Sequence, residues 1–300
     1  MFDVQSVVLS GPSNREMTKR CSVLFTLIIL VLVNTAPAQF IAALLQNDSY
    51  WGDGKAEFDF YDAHIMREGQ ARQCEVLHIL MRDSIEVKQS LSKRAAALPV
   101  IRMNQILNIP IGIGLQQQSI SVFWSRDGRM AQFSFVGADS LGNVYKTCAD
   151  SPDGKAFLYE SHSYRDGIIK QSIERPVGDA IFYDELPLRV RTIDFSKPAG
   201  EFDIQLAATT ISSRTDNIVF KPANVNFKTG DRSIDVDVRH DAGTDRFVLD
   251  RDFPFLLRQW KAADGSHLRL KNSLKVAYWN YSGPGDRERA LKDPMLRHPD

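Results

Sequence analysis

Residues 117–136 read QQSISVFWSRDGRMAQFSFV, and they decide the fold class. Ile120, Val122 and Trp124 alternate with Ser119, Ser121 and Phe123, and Phe133 and Phe135 alternate with Gln132 and Ser134. A period of two places alternate side chains on opposite faces of a strand, one buried and one wet. Between the two runs stands Arg126-Asp127-Gly128-Arg129, and Asp-Gly flanked by alternating segments is the strongest short-range signal for a β-hairpin.

The same pattern extends outward in both directions. Residues 55–61 (KAEFDFY), 74–81 (CEVLHILM), 98–109 (LPVIRMNQILNI) and 156–164 (AFLYESHSY) read as strands. So do 202–208, 224–228, 234–239 and 246–249, and a second Asp-Gly turn, Asp264-Gly265, separates residues 255–262 from 267–279. Helical signal is confined to two segments. Residues 83–97 (DSIEVKQSLSKRAAA) read as a helix or a polar loop, and 179–188 (DAIFYDELPL) as at most a short helix broken at Pro187. The expected fold is mainly β: a large antiparallel curved sheet or open β-barrel with one or two short helices. No linker, repeat or low-complexity tract interrupts residues 39–281, read as one large β domain with 195–200 as the place for any subdivision. Residues 282–300 read as a polar C-terminal surface tail, with room for a short helix at Asp286–Leu291.

The chain has 300 residues, 43% hydrophobic, with 37 basic and 37 acidic side chains. That balance excludes disorder, and the lack of a basic stripe argues against nucleic-acid binding. Its N-terminal part carries an address. Lys19 and Arg20 precede an apolar run of 11 residues, 23–33 (VLFTLIILVLV), and Ala36-Pro37-Ala38 is the small-x-small pattern cut by signal peptidase. Eleven residues suit a signal peptide and fall short of the roughly 20 that span a bilayer. Residues 17–38 are therefore read as a signal peptide and 1–16 as a leader ahead of the true start at Met17. The protein is expected to be exported, periplasmic or extracellular; the alternative is an anchor retained by an uncleaved N-terminal segment.

Export leaves Cys74 and Cys148, one candidate disulfide. Closing a loop of about 75 residues would stabilise the fold by roughly 4 kcal/mol in the chain-entropy model. The alternative is two buried thiols. Catalytic signals are sparse. No two histidines stand at metal-ligand spacing, so no metal is expected, and no nucleotide loop or GxSxG elbow is present, so no cofactor is expected. His162 with Asp166, and Asp53 with Glu57, are the weak catalytic candidates for a hydrolase. Asp235 and Asp237 share one strand face, read as the wet one. His78, within an apolar strand, reads as a hydrogen-bonded core residue.

One block stands out: Tyr50-Trp-Gly-Asp-Gly-Lys-Ala-Glu57, then Tyr61-Asp-Ala-His64 and CEVLHILMRD (74–83), with Ser161-His-Ser-Tyr-Arg-Asp-Gly167 and the segment carrying Trp260. Over most of the exported chain it resembles a family of uncharacterised secreted bacterial proteins with a Trp-x-Asp-Gly-Lys-Ala-Glu element and a Ser-His-Ser-Tyr-x-x-Gly element. Members sometimes carry a septum formation inhibitor Maf label. The Ser-Pro-Arg-Arg element of the Maf nucleotide pyrophosphatases is missing from this chain, so the resemblance implies no such activity and no functional residues to carry over. More distantly the pattern looks like the open β-barrels of periplasmic lipoprotein carriers, in which a curved sheet wraps a short helix or an apolar ligand. That likeness implies a lipid or other apolar ligand, with Phe123, Phe133, Phe135 and Tyr159 as candidate lining residues; the alternative is that they fill an ordinary core. The expected function is a non-enzymatic envelope-associated or apolar-ligand-binding protein, with a secreted hydrolase or an assembly partner as alternatives. Oligomeric state is left open.

Overall fold

The computed structural model describes residues 40–88, 95–212, 214–215 and 217–298. The expected leader and signal segment, 1–38, and Cys21 lie outside them. Among the described residues two meanders run. The first comprises β1 (Ala56–Arg67), β2 (Gln70–Lys88), β3 (Ala95–Ile111), β4 (Gly114–Ser125), β5 (Met130–Asp139), β6 (Gly142–Asp150), β7 (Ala156–Ser163) and β8 (Gly167–Glu174). The second follows the short β9 (Ala180–Phe182), which pairs in parallel with the next strand, and comprises β10 (Ala199–Ala207), β11 (Phe220–Thr229), β12 (Ser233–His240), β13 (Gly243–Asp250), β14 (Leu257–Lys261) and β15 (His267–Val276). Antiparallel pairing of β1 with β15 joins them into one sheet of 15 strands, with β8 and β9 at its two edges. The expected mainly β, open curved sheet is thus the fold.

The hairpin that opened the reading is β4 and β5, paired from Gln117↔Ala138 to Trp124↔Met130. Asp127 and Gly128 sit in its turn, where Gly128 has φ +88°, a left-handed conformation that glycine adopts without steric cost. Ile120, Val122, Trp124, Phe133 and Phe135 all point inward and are buried. Residues 83–88 and 95–97, read as a helix or loop, are instead the ends of a long β2–β3 hairpin, with Ile85 opposite Leu98 and Glu86 opposite Ala97. Cross-strand pairing overrides the modest helix propensity of such a segment.

The sheet curls around a plug running from β9 through the 3₁₀ turn Tyr183–Glu185, helix α3 (Leu186–Arg189) and a second 3₁₀ turn, Val190–Thr192. Pro187 initiates α3 rather than breaking it: at the first turn its missing N–H has no intrahelical partner to lose. Phe182 and Leu188 face one core cluster, with Trp124, Phe133, Phe135 and Phe157 of β4–β7. Ile181, Leu186, Val190 and Ile193 face the other, with β1–β3 and β10–β15. Polar ties fix the plug: Trp124 Nε1 donates to Glu185 at 2.7 Å, and Thr210 donates to Asp184 through its N–H and hydroxyl, both at 2.7 Å.

Ahead of the sheet come two single-turn helices, α1 (Ala43–Gln46) and α2 (Asp48–Trp51). The C-terminal residues do not trail away. Helix α4 (Asp286–Lys292) places Ala290 and Leu291 on the outer face of β1 and β15, against Phe60, Leu274 and Val276. Beyond it, the His298 N–H donates to the Ser273 carbonyl at 3.1 Å.

Cys74 and Cys148 are free thiols, which corrects the expected bridge. Both point inward, from strands four positions apart in the sheet order. Cys148 belongs to the first of the core clusters above and Cys74 packs against the second. Burial raises the pKa of both thiols, so neither is a ready nucleophile.

Candidate functional site

The inner face of β1 carries two different environments, separated by the length of the strand. At its start, Glu57 and Asp59 point inward and are fully enclosed; toward its end, Ile65 and Arg67 line an open pocket. Eight residues separate Glu57 from Ile65, roughly 26 Å of strand at about 3.3 Å per residue.

The enclosed end is a charge-balanced polar cluster. Arg191, from the plug, donates to Glu57 at 2.6 and 3.1 Å and to the Pro254 carbonyl at 3.2 and 2.9 Å. Tyr50 Oη donates to Glu57, and His298 Nε2 lies 3.2 Å from the same hydroxyl. Burial alone would raise the Glu57 pKa; the guanidinium reverses this and holds it at about 2. Asp59 moves the other way, well above the carboxylate range, because it is desolvated beside the Glu57 charge. Its Oδ1 accepts from Ser273 Oγ at 2.5 Å. In register beside Asp59 stands His78, 3.1 Å from Gln105 on β3 and pushed down to about 4 by burial, so it is neutral at pH 7. Asp59 and His78 are thus bonded residues of the sheet interior.

This cluster accounts for the Trp-x-Asp-Gly-Lys-Ala-Glu element. The Trp51 indole donates to the Leu44 carbonyl at 2.7 Å. The Lys275 ammonium sits 3.9 Å from the centre of the Tyr50 ring and 4.7 Å from that of Trp51, with Asp53 at 3.7 Å. Lys275, in register with Glu57, thus takes Asp53 as its ion-pair partner, while Glu57 is held by Arg191. A polar cleft of about 750 Å³ opens beside Tyr50 and His298, but those two side chains stand between it and Glu57.

The other catalytic candidates do not converge. His162 is exposed on the outer face of β7, with Nε2 2.6 Å from Glu160. Asp166, in the turn after β7, accepts from the Thr215 N–H at 2.8 Å. Asp235 and Asp237 lie on the outer face of β12. Among the described residues no group of three His, Cys, Asp or Glu is arranged to hold a metal ion.

The open end is a pocket of about 90 Å³ at the mouth of the curled sheet. Its floor is apolar: Ile65, Val76, Leu107 and Leu268, from β1, β2, β3 and β15. Trp260 and Tyr183 form a wall held in place from behind by Asp245, which is fully buried. Asp245 accepts from Trp260 Nε1 at 3.2 Å and from the Ala263 N–H at 2.7 Å, and it hydrogen-bonds Tyr183. Trp260 also stacks on Phe247, centroids 5.5 Å apart and planes 13° from parallel. The rim is polar, with Arg67, Gln105, Thr209, Asp264, Ser266 and His267. The lining proposed from sequence lies elsewhere: Phe133, Phe135 and Tyr159 fill the closed core beside the plug, and Phe123 faces outward, half-buried. The pocket residues come from strands that only the β1–β15 pairing brings together.

Fold and site together define the class: a mainly β protein with one open, coiled sheet wrapped on an internal helical plug and a shallow apolar pocket at one mouth. No family model matches the chain, and no curated protein matches it. Among solved structures it is similar to a β-barrel-like protein of domain of unknown function DUF1849 from Brucella abortus. That match covers 74% of this chain and 98% of the other, at 9% identity and a TM-score of 0.43. Neither the septum formation inhibitor label nor the lipoprotein-carrier likeness is carried by these comparisons.

Proposed function

We propose that this chain is an exported, non-enzymatic β protein of the cell envelope that holds the apolar part of a small ligand in its mouth pocket. The observation that carries the reading is the pocket itself: an apolar floor, an aromatic wall fixed by a buried carboxylate, and a polar rim. Binding sites in β-barrels favour such mouths, where a few placed polar groups orient an otherwise apolar ligand. The volume suits a short chain or the end of a longer one, since the plug occupies the deeper interior. Export rests on the pattern of residues 17–38. The dispersal of His162 and Asp166, and the enclosure of Glu57, favour binding over hydrolysis.

The test is extraction. Protein purified from the compartment to which it is exported is denatured in organic solvent, and the released small molecules are identified by mass spectrometry. An apolar compound in stoichiometric yield from the native chain, reduced several-fold in Leu107→Trp, which fills the pocket, is the expected result. Equal release from both chains, or none from the native chain, would reject the reading.

A second reading, an assembly partner, has one observation in its favour. Val136, Tyr145, His162 and Ile168 lie in register across the outer face of β5–β8, and the three apolar members are 45–63% exposed. Sedimentation of the native chain against Tyr145→Lys tests it, with a lower association state expected for the variant.

A further inference from the structure

We infer that the ligand of the mouth pocket is a monocarboxylate amphiphile, a short- or medium-chain fatty acid or an acyl chain ending in a carboxylate, whose head is taken by Arg67; this rests on the proposed apolar-binding function. Arg67 is the last inward-facing residue of β1, placed by the alternation that runs through Ala63 and Ile65. It therefore stands where the apolar floor meets the rim. A half-buried guanidinium beside apolar side chains is costly unless its donors and charge are satisfied. Two donors are used, to the Met66 carbonyl at 2.9 Å and Gln118 Oε1 at 3.1 Å, both neutral acceptors. A guanidinium has five N–H donors, and among the described residues no carboxylate stands within 4.0 Å of it.

The nearest acidic influence is Asp264, across the rim, whose carboxylate is turned to its own loop: it accepts from the Ser266 N–H at 2.7 Å and the Ser266 hydroxyl at 3.1 Å. Arg67 thus keeps free donors toward the pocket mouth, and a planar carboxylate matches a planar guanidinium in a paired, charge-assisted hydrogen bond. A cationic or neutral head would leave that charge unmet. The other charge-bearing group at the rim, His267, stacks on His64 with centroids 4.5 Å apart and adds no negative charge. The chain of the ligand then runs over Leu107, Val76 and Leu268 against the Trp260 ring.

The test is titration of the purified exported chain with sodium octanoate and with 1-octanol at pH 7.5, followed by Trp260 fluorescence and by methyl NMR. Octanoate is expected to bind at least tenfold more tightly than octanol. Arg67→Gln should weaken octanoate by about tenfold to a hundredfold, the range of a charge-assisted hydrogen bond, and leave octanol unchanged. Asp264→Asn, which removes the acidic charge at the rim while keeping an acceptor for Ser266, should tighten octanoate several-fold, a gain that a folding defect cannot produce. Equal affinity for octanoate and octanol, or octanoate binding untouched by Arg67→Gln, overturns the assignment of the carboxylate while leaving apolar binding standing. Failure of both probes to bind overturns it together with the reading on which it rests.

Discussion

Replacing Arg191 by Met tests how the sheet is tied to its plug. The guanidinium is 2% exposed, and its partner Glu57 is completely buried. The substitution keeps much of the aliphatic volume but removes four hydrogen bonds, two to Glu57 and two to Pro254, and leaves a carboxylate beside Asp59 with only the Tyr50 hydroxyl. Breaking one side of a buried ion pair costs about 3–5 kcal/mol, chiefly because the surviving charge is stranded. For a domain of this size that corresponds to roughly 6–20 °C in Tm. The sign of the pH dependence is also fixed. In the native chain the Glu57 pKa is depressed, so its contribution is fully present above the unfolded value and is lost only as pH falls through about 2. Without Arg191 the same carboxyl is stabilised by protonation, so the deficit of the variant must shrink between pH 8 and pH 5. Urea unfolding across that range measures it, and Glu57→Leu combined with Arg191→Met should recover most of the loss, since an apolar pair replaces a buried ion pair at little cost. A deficit below about 1 kcal/mol, or one independent of pH, would refute the reasoning.

Three further outcomes are expected. Asp59 is raised well above the usual range, so its favourable contribution is present below the unfolded pKa and declines as pH rises toward the folded one; Asp59→Asn should flatten that decline in a urea midpoint series from pH 4 to 9. Phe182→Ala, at a ring 5.0–5.2 Å from those of Phe133, Phe157 and Phe220, should cost about 3–5 kcal/mol by denaturant unfolding, whereas a cost under 1 kcal/mol would mean that the plug is not packed as described. Alkylation of the unfolded chain without reductant should label both Cys74 and Cys148 in a peptide map, and protection of both would show a bridge.

Hairpins were legible in the sequence because their determinants are local. Alternation in 117–124 and 129–136 and the Asp127-Gly128 turn are read within twenty residues, and the strands appear where the pattern puts them. Pairing of β1 with β15 was not legible, since no local signal joins residues more than 200 positions apart, and the mouth pocket exists only through that pairing. Residues 83–97 read as a helix or loop because Glu, Lys and Ala favour a helix locally, a preference that the register of the long β2–β3 hairpin overrides. At the enclosed end, Glu57 and Asp59 share a face by the period of two, which the sequence suggests. That Arg191, in the ordinary-looking RVRTID, neutralises Glu57 emerges only once the plug is threaded through the sheet. Asp53 and His162 attracted notice by residue type, and their neighbours turned out to be a lysine and a glutamate serving surface or structural roles.

Methyl-resolved NMR of the native chain titrated with octanoate tests the central claim of a ligand-binding mouth most directly. Saturable shifts confined to Ile65, Val76, Leu107 and Leu268, with Ile101, Val122 and Leu188 unmoved, are expected. Shifts spread through the closed core, or none at the mouth, would contradict it.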